Sequence, residues 1–416
     1  MAEIAAAARP AGFSTTGGSQ ITGGDWTAAT IGGCYIRVSV PGGPATARGF
    51  CHGRHRRGPV LPDQSIPAAS IRRSRQDPLR IVSIGGGTGL STLLKGLKKF
   101  VLHQAPERPP GWPFIEITAI VTVSDDGGSS GRLRRELDML PPGDIRNCMV
   151  ALAEDESLLT RLFQYRFAAG QGLKGHSFGN LFLAVMSQVT GDFARAVQLS
   201  SEVLAIAGRI FPATGENVHL RGYLAGGKVV EGETRISRSV EPIERIELLP
   251  AGCKPLPEAI EAIRKADLIT LGPGSLYTSI VPNLLVKGVA RAIEQSPALK
   301  ACIVNLMWQP GETTGLTASD HIAAIERHAA RRLVEVAVLN NAPVPERRLR
   351  RYERQAAHPV ETDLSRLMAM GVQVMARPLL AEGTKVRHDP DLTAAVAIDL
   401  ARRGRRRTQR ALALGR

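Results

Sequence analysis

The feature that most constrains the fold is the stretch Leu79–Gly89, LRIVSIGGGTG, in which a short apolar run stops at three consecutive glycines. The run has the length and β-branched content of a buried strand, and the leucines of 90–97 recur at helical spacing. A strand, a glycine turn and a helix bring free backbone N–H groups to one point, where they bind anions. Glycine lets a phosphate approach the backbone closely. We therefore predict a phosphate site at 85–89, with an ordinary tight turn as the alternative.

Two better-known phosphate loops do not match this stretch. No GK[ST] closes it, as a Walker A loop requires, and GGGTG lacks the spacing of the GxGxxG dinucleotide fingerprint. An NAD(P)-dependent dehydrogenase is therefore disfavoured.

The net charge of the chain lies mainly at its two ends. The 416 residues carry a formal charge of +15, which would suggest a nucleic-acid partner if it lay on the folded body. Residues 1–78 hold nine Arg and four acidic residues, and 402–416 hold seven Arg and none, so the ends supply twelve of the fifteen charges. We therefore expect no nucleic-acid partner.

Cysteine usage and hydropathy indicate a reducing compartment. The five cysteines are scattered, with no CxxC pair, so neither a disulfide framework nor a zinc site is predicted. No apolar run approaches the ~20 residues that cross a bilayer. We predict a cytoplasmic protein without a membrane span.

Composition divides the chain into three predicted parts. Residues 1–78 lack sustained periodicity and read as a disordered extension, with a transit peptide as the alternative. Residues 79–380 form a nucleotide-binding domain, into which alternating segments at 209–249 insert an antiparallel β segment. Residues 381–416 hold a C-terminal helix and a basic tail, and the final RRGRRRTQRALALGR reads as disordered.

A pair of carboxylates follows the next apolar run. Asp125 and Asp126 come directly after 115–123, where a strand of an open α/β sheet would end and ligands would lie. Adjacent carboxylates there can hold a divalent cation such as Mg²⁺ or bind a sugar hydroxyl. A helix N-cap followed by a turn is the alternative.

Further polar residues stand at two predicted helix starts. Asp144 is predicted to cap a helix, which leaves Arg146 and Asn147 in its first turn, and Arg suits a bidentate grip on phosphate or carboxylate. A surface ion pair is the alternative for Arg146. His176 lies in a glycine turn and Asn180 begins the next helix, where it caps the helix or faces a ligand. Neither has a recognisable triad partner, so a nucleophilic hydrolase is disfavoured.

A second glycine turn repeats the logic of the first. A strand at Leu268–Leu271 feeds GPGS and another helix. The polar and glycine positions of this turn are Gly272, Gly274, Ser275, Tyr277 and Thr278. Tyr277 either stacks on a base or sugar ring or packs at an interface. We predict that Gly86 and Gly274 lie together at one edge of a doubly wound, mostly parallel, Rossmann-like α/β sheet.

Six segments resemble one known family. They are IGGGTGLSTLLKGLK, TAIVTVSDDGGSSGRLRRELDMLPPGDIRN, GLKGHSFGNLFL, GDFARAV, GPGSLYTSIVPNLLVKGV and QPGETTGLTASDH. Together they resemble the YvcK-type gluconeogenesis factors, which are related to the CofD 2-phospho-L-lactate transferases. The resemblance runs in order from about Leu79 to about Met375. Trp308 and Leu316 depart from it, standing where a Thr and an aromatic are expected.

The resemblance implies a CofD-like fold that binds UDP-sugars such as UDP-N-acetylglucosamine. It also implies a link to peptidoglycan precursor supply, cell shape and growth on gluconeogenic carbon. The ligand-binding residues it implies are Gly85, Gly86, Gly87, Thr88, Gly89, Asp125, Asp126, Arg146, Asn147, His176, Asn180, Gly272, Gly274, Ser275, Tyr277 and Thr278.

Two functional hypotheses follow from the residues and the resemblance. The first is a nucleotide-sugar-binding regulator, with no committed catalytic residue and no certain cofactor, that acts on a cell-wall precursor enzyme and forms a homo-oligomer. The alternative is a Mg²⁺-dependent transferase like the CofD enzymes, which use a deazaflavin acceptor. There Asp125 and Asp126 would hold the metal and His176 would act as general acid or base.

Overall fold

The computed structural model describes residues 30–31, 34–35, 77–101, 112–154 and 158–414. The chain divides into two compact units at Ser70 and Ile71. In the first unit, strands β1 (Thr30–Ile31) and β2 (Cys34–Tyr35) pair antiparallel. Apart from these strands and residues 77–78, the predicted extension 1–78 lies outside the described residues, and its disorder stays a prediction.

The second unit is built on a seven-stranded, entirely parallel sheet. Its strands are β3 (Leu79–Gly85), β4 (Ile115–Val121), β5 (Arg209–Pro212), β9 (Leu268–Leu271), β10 (Leu299–Ile303), β11 (Val336–Asn340) and β12 (Gln373–Arg377). Between β5 and β9 the chain forms a separate antiparallel sheet of β6 (His219–Leu224), β7 (Val229–Glu231) and β8 (Ile243–Leu249). The predicted parallel sheet with an inserted antiparallel segment is confirmed.

The start of the predicted insertion is wrong. Residues 209–212 form β5, which pairs parallel with β4 at the edge of the main sheet. Only 219–249 belongs to the small sheet. The alternation in this segment did not distinguish a short edge strand of the main sheet from the first strand of a hairpin.

The strand order places a crevice between β3 and β9. The order across the sheet is β12-β11-β10-β9-β3-β4-β5, so the chain moves outward in one direction to β5 and then in the other from β9. This reversal is the topological switch point, where open α/β sheets bind ligands beyond the carboxyl ends of the strands. The two predicted glycine turns follow β3 and β9, the strands on either side of this point.

Fourteen helices are found in the described ranges. They are α1 (Gly87–Leu97), α2 (Gly128–Leu137), α3 (Gly143–Leu152), α4 (Leu158–Gln164), α5 (Phe178–Thr190), α6 (Phe193–Val203), α7 (Glu233–Ile236), α8 (Pro257–Lys265), α9 (Val281–Leu285), α10 (Val289–Gln295), α11 (Ala318–Ala329), α12 (Glu346–Glu353), α13 (Leu364–Ala369) and α14 (Pro390–Ala413). A π-helical turn, Leu276–Ile280, precedes α9. None of the helices in these ranges is both long and apolar enough to span a bilayer.

The core explains why the central strands carry almost continuous apolar runs. In β3 and β4 six of the seven residues are buried, as expected for parallel strands covered on both faces. Helices α3 and α14 pack on α1, and α14 also contacts β3, β9 and β10.

The predicted disorder of the C-terminal stretch is wrong as far as Ala413. Helix α14 continues through RRGRRRTQRALA, and two glycines allow close backbone contacts in its packing. A Cβ atom at Gly96 would lie 2.0 Å from the Pro390 carbonyl oxygen, and one at Gly404 would lie 2.0 Å from that of Asp267. The charge run therefore belongs to a packed helix.

Candidate functional site

A cavity of about 350 Å³ opens at the switch point between β3 and β9. Predicted residues that line it are Gly86, Gly87, Thr88, Gly89, Gly274 and Ser275. Other residues that line it are Thr92, Asp144, Glu233, Pro273, Ser279, Asn305, Leu306, Met307, Trp308, Gln309, Tyr352, Val386, Arg387 and His388. Larger hollows of about 690 and 760 Å³ lie beside β5, and no predicted site residue lines either of them.

The two glycine turns pack directly on each other, as predicted. A Cβ atom at Gly89 would lie 2.4 Å from the Pro273 carbonyl oxygen and 2.8 Å from the Gly274 nitrogen. A Cβ at Gly274 would lie 3.5 Å from the carbonyl oxygen of Gly86. Gly87 has φ +61°, in the left-handed region that glycine adopts without strain. Gly89 is therefore required by the contact between the turns and Gly87 by its backbone conformation, whereas a Cβ atom at Gly274 would make only an ordinary contact.

Asp144 packs against the first glycine turn, and its predicted role as the N-cap of a helix is wrong. The N-cap of α3 is Pro142, and Asp144 lies in the first turn of the helix. Its carboxylate accepts a hydrogen bond from the backbone N–H of Gly87, and burial followed by the charge of Asp125 raises its pKa to about 7. A Cβ atom at Gly86 would lie only 2.4 Å from Asp144 Oδ2. One backbone donor of the turn is thus bound to Asp144.

The small antiparallel sheet supplies a second acidic group to the cavity. Helix α7, between β7 and β8, carries Glu233, whose Oε2 is buried without a hydrogen-bond partner. Burial, then the charges of Asp125 and Asp144, raise the pKa of Glu233 well above its usual value. No local sequence signal marks Glu233, since it reaches the cavity only through the packing of the insertion.

The predicted pair Asp125 and Asp126 is not part of the cavity lining. Asp125 Oδ1 accepts from the Gly127 N–H at 2.8 Å, and burial raises the pKa of Asp125. Asp126 Oδ1 instead accepts from the N–H and the hydroxyl of Thr234, at 2.9 and 2.6 Å. The two carboxylates therefore act in separate turns. Within the described ranges, no group of three or more His, Cys, Asp or Glu side chains is arranged to hold a metal ion.

Polar side chains after β10 and near the start of α14 form the opposite wall. Gln309 Nε2 donates to Ser275 Oγ at 2.8 Å, which ties this wall to the second glycine turn. Trp308 Nε1 donates to the Leu316 carbonyl at 3.1 Å, so the two residues that depart from the family pattern contact each other. Trp308 and Tyr352 are aromatic residues that line the cavity.

His388 belongs to this wall and has a ring nitrogen without a hydrogen-bond partner. Its ring bonds to the backbone of Val304, and its Nε2 is buried without a partner. A backbone carbonyl accepts, so Nδ1 carries the proton and Nε2 offers a lone pair. Burial lowers the pKa of His388 to about 4, which keeps the ring neutral at physiological pH. A ligand hydroxyl or imide N–H would satisfy this atom.

Tyr277 and Thr278 lie behind the second turn rather than in the cavity. Both belong to the π-helical turn and are buried. The Tyr277 ring packs on His328 with centroids 5.8 Å apart, and Thr278 Oγ1 donates to Glu312 at 3.0 Å. The packing alternative therefore describes Tyr277, and Gly272, with φ +81°, serves to turn the chain.

Arg146, Asn147, His176 and Asn180 form a second group outside the cavity lining. Arg146 Nη2 donates to Asn147 Oδ1 at 2.7 Å. Asn180 Nδ2 donates to Ser129 Oγ at 3.1 Å, and that hydroxyl lies 2.9 Å from His176 Nδ1. The expectation that these residues share one cleft with the glycine turns stays a prediction.

Comparison with known proteins gives a consistent set of relatives. A family model described as 2-phospho-L-lactate transferase CofD matches residues 81–380. The gluconeogenesis factor of Bacillus subtilis is 45% identical and covers 77% of this chain and 98% of its own length. That of Halalkalibacterium halodurans is 48% identical over 74% of this chain and 92% of its own length. A crystal structure of a Bacillus halodurans protein is 46% identical, with a TM-score of 0.73 over 77% of this chain and 100% of that chain.

Proposed function

The chain belongs to the CofD family, together with the gluconeogenesis factors, and we propose that it binds a uridine nucleotide-sugar of the UDP-N-acetylglucosamine type. In this proposal it is a regulator that links central carbon metabolism to cell-wall precursor synthesis and cell shape. It acts through a partner enzyme of that synthesis.

The observation that carries the proposal is the pair of glycine turns that meet across one cavity. Gly86–Gly89 and Gly274–Ser275 line the same space after neighbouring strands, and α1 begins within the first of these turns. Backbone N–H groups and a helix N-terminus bind diphosphates without needing a basic side chain. The cavity of about 350 Å³ is within the usual range for small-molecule sites.

The remaining walls suit the two ends of a nucleotide-sugar. Trp308 and Tyr352 offer aromatic surface to a base or sugar ring, and Asn305, Gln309 and His388 offer amide groups and an imidazole acceptor to its polar edge. Arg387 adds one positive charge beside these groups.

The acidic wall favours a second candidate, a transferase like the enzyme named by the family model. Asp144 and Glu233 line the cavity, and Mg²⁺ is commonly held by one or two carboxylates plus the phosphates of its substrate. The unpartnered Glu233 Oε2 fits that role. In this candidate Asp144 and Glu233 replace Asp125 and Asp126 as the metal-binding pair, and the bound ion would neutralise phosphate charge.

Calorimetry and thermal-shift measurements test the proposal. UDP-N-acetylglucosamine, GDP and NAD⁺ are compared with and without Mg²⁺, because a ligand of the native state raises the melting temperature by mass action. We expect the uridine nucleotide to bind most tightly. Gly274→Val, whose side chain would extend toward Gly86 and Ser279, should abolish binding, whereas Gly215→Val at an exposed position should not.

Absence of uridine nucleotide binding to the wild-type chain would contradict the proposal. Tighter binding of GDP that depends on Mg²⁺ and is lost in Glu233→Gln would favour the transferase instead.

A further inference from the structure

The turn Lys174–His176 is bordered by guanidinium groups from two elements. Arg132, on α2, donates from Nη2 to the Lys174 carbonyl at 2.8 Å. Arg166, just after α4, donates from Nη1 to the Gly175 carbonyl. Within the described residues, neither arginine forms an ion pair with a carboxylate. Each therefore has guanidinium N–H groups beyond the one that binds the turn.

A third guanidinium approaches from α3. The Arg146 side chain packs against Gly179, where an added Cβ atom would lie 2.9 Å from Arg146 Cδ. Arg146 Nε is buried without a hydrogen-bond partner. Burial and then the charge of Arg166 lower the pKa of Arg146. A buried guanidinium N–H without a partner, close enough to a second guanidinium to feel its charge, favours a negative group at this place.

His176, at the end of this turn, has one ring nitrogen available to a ligand. The Asn180 amide donates to Ser129 Oγ, and that hydroxyl lies 2.9 Å from His176 Nδ1. His176 Nε2 makes no hydrogen bond within the described residues, and in the imidazolium form it carries an N–H. Burial lowers the pKa of His176, and the charges of Arg132 and Arg166 lower it further. A bound anion would offset these effects and favour the imidazolium form.

We infer that the turn Lys174–His176 is an oxyanion-binding site, in which Arg132, Arg146 and Arg166 hold a phosphate or carboxylate group and His176 donates from Nε2. This site goes beyond the proposed function, since none of its four side chains lines the cavity between the glycine turns. Planar guanidinium groups match the two oxygens of either anion. The carboxylates nearest the cluster are Glu136, which faces His176, and Asp144 and Asp125, which face Arg146.

The site is tested by NMR of the full chain, observing the His176 ring, assigned with His176→Gln, as pH is varied with and without inorganic phosphate at constant ionic strength. Bound phosphate favours the imidazolium form, so the pKa of His176 should rise when phosphate is present. Arg166→Gln should raise the His176 pKa in the free protein and weaken phosphate binding about tenfold or more, as expected for a lost charged hydrogen bond.

A matched variant separates the site from general charge effects. Arg347→Gln, on α12, removes one positive charge elsewhere and should leave both the His176 pKa and its response to phosphate unchanged. A His176 pKa that does not respond to phosphate would overturn the inference. Equal phosphate binding by Arg166→Gln and Arg347→Gln would overturn it as well.

A comparison of two nucleotide-sugars identifies the source of the oxyanion. If the anion is the far end of the ligand, UDP-glucuronate will move the His176 signal and lose affinity in Arg166→Gln, while UDP-glucose will do neither. If the anion is a free phosphate, only inorganic phosphate will move the signal. Failure of both sugars to bind would count against the proposed function, yet a phosphate-dependent His176 pKa would still support this site.

Discussion

Arg405 and Asp267 form a bidentate ion pair at the amino-terminal end of the sheet. Arg405 Nε and Nη2 lie 2.8 and 2.6 Å from the two carboxylate oxygens, and the Asp267 side chain is fully buried. Arg405 also donates to the carbonyls of Asp77 and Pro78, and the Arg80 N–H donates to Asp267. The pair therefore joins the last helix to the residues that begin β3 and β9.

Arg405→Ala should destabilise the second unit strongly. The substitution leaves the Asp267 carboxylate buried without its counter-ion, which typically costs about 3–5 kcal/mol of unfolding free energy. Urea unfolding followed by circular dichroism measures the change. Arg403→Ala is the matched control on the same helix, because its exposed pair with Asp399 should contribute at most about 0.5 kcal/mol. Equal losses of unfolding free energy in the two variants would show that the buried pair contributes no more to stability than the exposed one.

Gly89→Ala should disturb both glycine turns at once. The added Cβ would meet the Pro273 carbonyl at 2.4 Å, so the turns must separate. We expect a loss of about 1–3 kcal/mol in stability together with a loss of nucleotide affinity measured by calorimetry. Gly215→Ala, whose Cβ has no neighbour closer than 3.9 Å, should change neither quantity. Unchanged nucleotide binding in Gly89→Ala would show that the nucleotide does not bind at these turns.

Stability should fall as pH rises through the range in which Asp144 titrates. The pKa of Asp144 is about 7 in the folded chain and 3.8 in the unfolded one, so between those values only the folded state holds the proton. The unfolding free energy therefore decreases with pH from about 4 to about 7 and then levels off. Asp144→Asn should reduce this slope in urea unfolding at a series of pH values, whereas Asp399→Asn should leave it unchanged. Part of the slope should remain in Asp144→Asn because the pKa values of Asp125 and Glu233 are raised as well. Parallel wild-type and Asp144→Asn curves would be the contrary result.

His388→Ala should weaken nucleotide-sugar binding about tenfold, because it removes the acceptor offered by Nε2. Pyrophosphate binding should not change, since the proposal assigns the diphosphate to the glycine turns and not to His388. With a pKa of about 4, His388 stays neutral, so its contribution should be constant from pH 5.5 to 8. Calorimetry at several pH values measures both effects, with His219→Ala on β6 as control. An equal loss for pyrophosphate would place His388 at the phosphates instead.

The adjacency of the two glycine turns could be predicted from the sequence because parallel strands end at the same edge of a sheet. Once 81–84 and 268–271 were recognised as strands, the turns that follow them had to lie at that edge. The burial of Tyr277 could not be predicted in the same way. The π-helical turn that holds it changes the residue spacing, so a side chain expected at the ligand faces His328 instead.

The residues missed at the site are those that distant contacts bring to it. Glu233 and His388 come from the insertion and from the loop before α14, far along the chain from either turn. By contrast, a signal that the predicted C-terminal helix continues into the basic run was present in the sequence. Ala397, Leu400, Ala401 and Gly404 recur at helical spacing up to and into that run, and all four are buried. The arginines obscured this periodicity.

The packing of α14 on α1 and β3 has a consequence for biosynthesis. Strand β3 and helix α1 pack against α14, whose residues are translated more than 290 positions later, such as Pro390 beside Gly96. Until α14 has left the ribosome, the Asp267 carboxylate lacks its guanidinium and one side of α1 is uncovered. The ligand cradle of this protein is therefore completed only after translation has passed Arg405.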